Sequence, residues 1–272
     1  VLSIITAIYN QKSMNELYWH YLSTCTHHPF ELIVIDNGST DGSAEFFESV
    51  GAKVIRNGVN YSYPYCQNRG IEAARYDWLA FLNNDIIVCP DWDKRLIATM
   101  EKNGLEAATA CGVELLESKS ETRQFRRRWN KIKILLTLFG QATFVLKLTH
   151  RLMYGDWQRF CEQRYQTFQH QVKQGFVGNA VMMKREALAK IGWWDERLQA
   201  ADYDLYYWTM ERAQTVGDIK PVHICLDVFI HHYIRLTSKK SYPPFVDKAN
   251  LISIEQKWGK AKMDDYFALL NR

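Results

Sequence analysis

The chain has 272 residues, 47% of them hydrophobic and 24% charged, with a formal net charge of +4. That balance excludes a disordered chain and a protein that spans a membrane throughout, and the length allows one α/β domain or two. The charge is uneven: residues 117–173 hold twelve Lys or Arg against four Asp or Glu, so the rest of the chain is net acidic. Such a basic segment faces nucleic acid, anionic lipid, a phosphorylated acceptor or simply water.

Six cysteines (Cys25, Cys66, Cys89, Cys111, Cys161 and Cys225) are spread singly, without the close pairing of a thiolate zinc site. Several sit in apolar runs, as small buried side chains do, and a reducing compartment is expected. Residue 1 already opens an apolar strand, so no signal peptide is expected in this sequence.

The run Val1–Ile8 is β-rich and ends at Tyr9-Asn10-Gln11, with a helix-compatible stretch over Asn15–Ser23. A second apolar run, Glu31–Ile35, stops abruptly at Asp36-Asn37-Gly38-Ser39-Thr40-Asp41-Gly42. Lys53-Val54-Ile55 reads as a third strand and Gln67–Arg75 as a helix. Trp78–Leu82 reads as a fourth strand that delivers Asn83-Asn84-Asp85 at its carboxyl end. Strands alternating with crossover helices predict a mostly parallel sheet. Ligands of such sheets sit beyond the carboxyl ends of the strands, where three polar clusters fall within the first 90 residues. Each alone is equally a turn or a helix cap.

The segment 117–173 breaks the alternation. Arg126-Arg127-Arg128-Trp129 precedes Ile134–Leu148, a largely apolar stretch read as one helix. It is shorter than the roughly 20 residues that cross a bilayer. It reads either as a helix lying in an anionic membrane interface, with contact through residues 126–160, or as an insertion packed on the domain with a basic outer edge. Beyond it lie Gly175–Met183, Gly192–Glu196, Ala200–Trp208 and a β run Val228–His232, and the last 30 or so residues read as a C-terminal helix.

The order of these motifs resembles the inverting glycosyltransferases of the GT-A fold, in the family-two group that builds bacterial surface polysaccharides, rhamnosyltransferase-like members included. Ser3–Asn10 is similar to that family's first strand and nucleotide-binding turn, and Val34–Gly42 to its second strand and loop. Asn68–Arg75 is similar to the helix before the metal strand, and Phe81–Asp85 stands where the family carries Asp-x-Asp. Gly178-Asn179-Ala180 and Ile191–Glu196 resemble the acceptor-side strand and turn, and Asp202-Tyr203-Asp204-Leu205 the motif whose first Asp is the base. His232, five residues before Thr237, resembles a metal-completing histidine. Two positions depart from the pattern: Asn83 replaces the first Asp of Asp-x-Asp, and Ala201 replaces the acid before the base.

The resemblance implies one α/β GT-A domain over 1–272, with a nucleotide-binding half (1–116), the basic helical insertion (117–173), an acceptor-binding half (174–237) and a helical tail (238–272). It implies a hexosyl- or deoxyhexosyltransferase that uses a nucleoside-diphosphate sugar and Mn²⁺ or Mg²⁺. The acceptor would be a glycan or a lipid-linked hydroxyl, with no nucleic-acid partner, in the cytoplasm or peripheral on the inner membrane face. Thr6, Ala7, Tyr9, Asn10, Asp36, Asn37, Arg69, Asn83, Asn84 and Asp85 would bind the donor. Gly178, Asn179, Trp193, Trp194, Asp195, Glu196 and Tyr203 would meet the acceptor.

Hard divalent cations take oxygen ligands, often only one or two carboxylates plus phosphate and water, which suits Asp85 assisted by His232. His231, on the opposite strand face, is the alternative ligand. Asp202 is the expected base, and Asp204, two residues on, is expected to be structural because helical neighbours two apart face different ways. A catalytically degenerate binding module is the competing reading, motivated by Asn83 and Ala201. A nucleotidyltransferase is disfavoured because no Gly-rich triphosphate loop with a following Lys is present.

Overall fold

In a computed structural model, residues 1–234 and 242–270 are described; Thr237 and the expected boundary at 237/238 lie outside them. The elements in chain order begin with β1 (Leu2–Ile8), α1 (Lys12–Cys25), β2 (Phe30–Asp36), α2 (Ser43–Ser49) and β3 (Lys53–Arg56). Then come α3 (Tyr63–Ala73), β4 (Trp78–Leu82), β5 (Ile86–Val88), α4 (Trp92–Asn103) and β6 (Ala107–Gly112). The basic segment folds as α5 (Lys119–Ile132), α6 (Ile134–Phe139), α7 (Thr143–Tyr154) and α8 (Trp157–Phe168). The remainder holds β7 (Val172–Gln174), β8 (Ala180–Lys184), α9 (Arg185–Ile191), α10 (Ala201–Thr215), β9 (His223–His232), α11 (Ile254–Trp258) and α12 (Lys260–Leu270).

All nine strands join one sheet in the order β3-β2-β1-β4-β8-β6-β9-β5, with β7 also paired to β9. β1 pairs in parallel with β2 and β4, β2 with β3, and β6 with β9, while β8 runs against both β4 and β6. It follows that β1, β2, β3, β4, β6 and β9 share one direction and open their carboxyl ends on one edge. The sheet is covered on both faces, which is why β1 reads as a continuous apolar run. Leu2, Ile4 and Ile8 enter one core cluster together with α1, α4 and Trp129 of α5, whereas Ile5 enters the other with α3, α9 and α10.

Three boundaries differ from the sequence reading. Helix α3 begins at Tyr63 rather than Gln67, because Pro64 in its first turn is pre-set for helix and Ser62 stands at the N-cap position. The single helix expected over Ile134–Leu148 is two, broken where Gly140 takes a positive φ of 76°. The C-terminal tail is likewise divided between α11 and α12 at Gly259, with φ 72°.

The helical insertion packs against the sheet: Trp129, Trp157 and Cys161 are buried, and α8 lies on β9. All six cysteines are free thiols. Burial pushes the Cys66 and Cys111 thiols up to about 12, which keeps them unreactive.

Gly70 sets how closely α3 approaches β1, since a Cβ there would lie 2.2 Å from Cγ2 of Ile5. Gly70→Ala is therefore expected to lose about 1–3 kcal/mol by overpacking, despite alanine's better helix propensity. A denaturant titration checks this; unchanged stability would mean that the contact is relieved at no cost.

Candidate active site

The chain reverses at Asn83-Asn84-Asp85, between β4 and the oppositely directed β5. The peptide N–H of Asn83 donates to the Asn179 carbonyl (3.0 Å), and the Tyr233 N–H donates to the Asp85 carbonyl (2.9 Å), which ties this turn to the strands on either side. Pairing of Ile86 with His232 brings the end of β9 beside Asp85. His232 Nε2 lies 3.2 Å from Asp85 Oδ1, and its Nδ1 is held by Oε1 of Glu114, just beyond β6. Three strand ends thus supply one buried Asp–His–Glu cluster.

Burial by itself would push the His232 ring down, but Asp85 and Glu114 on its two sides override that and hold it well above its ordinary value. Two carboxylates around one imidazole leave negative charge even when the ring is protonated. Glu114 supplies near Asp85 the second acid that Asn83 lacks. Sequence reading missed Glu114 because Leu115 and Leu116 follow it and the apolar run seems to continue. The signal was nonetheless the same as for Asp85, a carboxylate at a strand's carboxyl end.

A cleft of about 320 Å³ opens beside this cluster, lined by Tyr63, Asn83, Glu114, Gly178, Asn179, Gln199, Ala201, Asp202 and His232. Asp202 stands in the first turn of α10, with its Oδ1 accepting from the Tyr203 N–H (3.0 Å). Burial raises its carboxyl above the ordinary value, only partly countered by that hydrogen bond. Several polar atoms of the cleft are buried without any partner: the Tyr63 hydroxyl, both amide atoms of Asn179 and Oε2 of Glu114. Such groups cost roughly 1–3 kcal/mol each when left unpaired, so their gathering in one cleft marks a place built for a polar ligand. Tyr63 and Gln199 were not expected from the sequence.

The donor-side residues gather along the same sheet edge. Asn10 and Gln11 both adopt positive φ, 56° and 70°. This uncommon backbone is fixed from three directions: Ser39 Oγ accepts from the Asn10 N–H, Asn10 Oδ1 accepts from the Thr40 N–H, and Asn15 Nδ2 donates to the Asn10 carbonyl. Asp36 accepts from the Ser39 N–H (3.0 Å). Asn57 Nδ2 donates to Asn37, and Arg69 donates to Asn57 (2.7 Å), so Arg69 reaches the second loop through one intermediary. Ala7 is half-buried, and Tyr9 packs edge-on against Tyr242 with ring centroids 5.1 Å apart.

Several expected contacts need correction. The Thr6 hydroxyl is fully buried against Tyr18 OH (2.7 Å), and Asn84 Nδ2 donates to Asn15 (2.7 Å), so both side chains anchor α1 instead of lining the cleft. His231 is sealed on the opposite strand face: Tyr154 OH bonds its Nδ1 (2.8 Å), and Trp129, Tyr233 and His150 surround it, leaving no access for a cation. Trp194 is buried on Phe81 and Tyr63, and with the exposed Trp193 it lines a small separate pocket. Asn68 clamps this turn, donating to the Trp194 carbonyl and to Glu196 (both 2.9 Å), which rotates the indole inward.

Asp195 is held well below the usual carboxylate range by Arg197, which outweighs its burial, with Lys257 assisting. Tyr203 stacks on Phe267 and meets Phe176 edge-on. None of Trp193, Trp194, Asp195, Glu196 and Tyr203 lines the cleft. Asp204, as expected, is structural: it accepts from Lys257 Nζ (2.9 Å) and Trp258 Nε1 (2.7 Å).

The glycosyl transferase family 2 profile matches residues 3–192. The chain belongs to that family. Among curated relatives, it is 29% identical over 103 residues to the putative glycosyltransferase EpsH of Bacillus subtilis, a match over 36% of this chain and 30% of the relative. It is 31% identical over 170 residues to an undecaprenyl-phosphate 4-deoxy-4-formamido-L-arabinose transferase of Pseudomonas savastanoi, over 58% of this chain and 47% of that one. The chain spans less than two thirds of the length of these relatives. A mannosyltransferase from Pyrobaculum calidifontis, solved in complex with GDP-Man and Mn²⁺, superposes with a TM-score of 0.54 at 13% identity, covering 98% of this chain and 74% of its own. The likeness bears out the α/β GT-A fold.

Gly178 and Asp202 are in direct apposition: a Cβ on Gly178 would lie 2.4 Å from Asp202 Oδ2 and 2.8 Å from its Cβ. Gly178→Ala is expected to displace the Asp202 carboxylate and change ligand binding in the cleft while the fold persists. A crystal structure of the variant checks this, and an unmoved Asp202 would refute it.

Proposed function

We propose that this chain moves a sugar from a nucleoside-diphosphate sugar to a hydroxyl of a glycan or lipid-linked acceptor, with inversion at the anomeric carbon. The observation that carries the proposal is that a desolvated carboxylate, Asp202, shares one cleft with His232 of the Asp85 cluster and with polar atoms awaiting partners. In this reading Asp202 accepts the acceptor hydroxyl's proton as its oxygen bonds to the anomeric carbon and the bond to the diphosphate breaks. The raised basicity of Asp202 suits it to that task better than a free carboxylate. The Tyr63 hydroxyl and the Asn179 amide then pair with sugar or acceptor hydroxyls. Glu114 is occupied by His232, so Asp202 acts without a second carboxylate nucleophile, which favours single displacement.

The residues also suit a divalent cation. Among the described residues no three His, Cys, Asp or Glu side chains form a ready-made site. Asp85 and His232 would provide two ligands, the number that Mg²⁺ or Mn²⁺ accepts when phosphate and water complete its shell. Such a cation neutralises the charge of a departing diphosphate. Glu114 would keep the His232 ring turned toward Asp85. The Mn²⁺ and GDP-Man of the Pyrobaculum enzyme, and the lipid-phosphate acceptor in the name of the Pseudomonas relative, support the same ligand classes here.

Asp202→Asn is expected to lower the transfer rate by about 10²–10⁴-fold while donor binding persists. Because burial raises this carboxyl, folded protein loses stability as pH rises from the unfolded-state value through the folded one. The same variant should therefore melt higher than the parent at pH 7, and the acid limb of the parent's kcat/KM profile should lie above the ordinary Asp range. Full activity in the variant would reject the assignment. Separately, a matching nucleotide-sugar with Mn²⁺ at about 100 times Kd should add about 2.7 kcal/mol, and so raise Tm by about 5–10 °C. No shift with any UDP-, GDP- or dTDP-sugar would count against a donor site.

A further inference from the structure

Of the twelve exposed large apolar side chains among the described residues, six (Ile134, Leu138, Phe139, Phe144, Leu148 and Leu152) fall within nineteen residues of α6 and α7. Phe144, Leu148 and Leu152 stand four apart and form one stripe along α7, while the opposite face of that helix is buried through Val145, Leu146, Thr149 and Met153. Phe139 and Phe144 are 66% and 70% exposed, values that a side chain with a packing role in this fold would not show. The helix break at Gly140 places the exposed residues of α6 next in sequence to this stripe.

The charge around the stripe is of one sign. From Thr122 to Gly155 the chain holds eight Lys or Arg and no Asp or Glu. Helix α5 presents Arg123, Arg127, Arg128 and Lys131 along an open surface groove, and α7 adds exposed Lys147 and Arg151 beside its apolar stripe. Arg128 Nη2 donates to the Leu152 carbonyl (2.8 Å), fastening the basic helix to the end of the apolar one. None of these six cations forms a salt bridge with a carboxylate among the described residues. No helix is long and apolar enough to cross a membrane.

We infer that the α5–α7 face docks on an anionic lipid bilayer, with Phe139, Phe144, Leu148 and Leu152 entering the headgroup–acyl boundary and the α5 cations meeting lipid phosphates. Apolar burial and charge attraction then act together, the combination that holds an amphipathic helix in the plane of an interface. A second copy of the chain is the poorer occupant. A symmetric pairing would set this uniformly basic face against itself, without a single acid in the segment to offset it. The inference does not depend on the sugar-transfer reading, because it concerns a surface apart from the cleft lining.

The test is co-sedimentation of the 272-residue chain with phosphatidylcholine vesicles with and without phosphatidylglycerol, at low and high salt. The parent is expected in the pellet only with the anionic lipid, and to be released progressively by salt. Phe144→Ser/Leu148→Ser and Arg127→Glu/Lys131→Glu should each weaken partition about tenfold or more. Both pairs change exposed side chains only, so melting temperatures should match the parent. The inference is overturned if the parent stays in the supernatant with phosphatidylglycerol at low salt, or if both variants bind as the parent does. It is equally overturned if sedimentation velocity shows a parental dimer that the Phe144→Ser/Leu148→Ser pair dissolves while neither protein binds vesicles.

Discussion

The structure depends on a charge problem at the ends of β4, β6 and β9. Asp85 and Glu114 are both largely removed from water and both approach one imidazole. Two buried carboxylates repel each other and lose hydration, a cost that a single protonated ring offsets only in part. A protein that needed only stability would fill this position with apolar side chains. Its persistence at the mouth of a cleft is understandable if the residual negative charge is used there.

The surrounding architecture serves to hold that cluster in place. Reversal of the chain at Asn83–Asp85 is fixed by backbone hydrogen bonds from one neighbouring strand and to the other, and Asn84 adds a side-chain tie to α1. Asn15 relays that tie to the strained Asn10 turn and to Ser43, so the ends of β1 and β4 and the start of α2 share one polar network. On the far side, Lys257 bridges Asp195 and Asp204, joining α11 to the 193–196 turn and to α10, which carries Asp202. Both walls of the cleft are thus supported by ionic or amide contacts as well as by apolar packing.

Much of this was legible in the sequence because a buried strand that ends in Asp or Asn announces both its direction and its edge. Asp36, Asp85 and His232 were found by that rule, and the two-residue period separated His232 from His231 correctly as to face. The misreadings share a cause. Trp193-Trp194 and Tyr203 look like a sugar-stacking wall, yet their orientation is decided by Asn68 and Phe267, partners more than sixty positions away in the chain that no local pattern reveals. Thr6 and Asn84 occupy the right loops with side chains turned to a helix. Glu114 escaped notice because apolar residues follow it.

The stretch that matches the family ends at residue 192, ten positions before Asp202 and forty before His232. The part of the chain that marks its ancestry therefore carries Asp36, Asn37 and Asp85, and the part outside carries the proposed base and the histidine partner of Asp85. Proteins recognisable as kin through their first two thirds can accordingly diverge in what they modify by exchanging the remainder, while the older portion of the chain stays as it was.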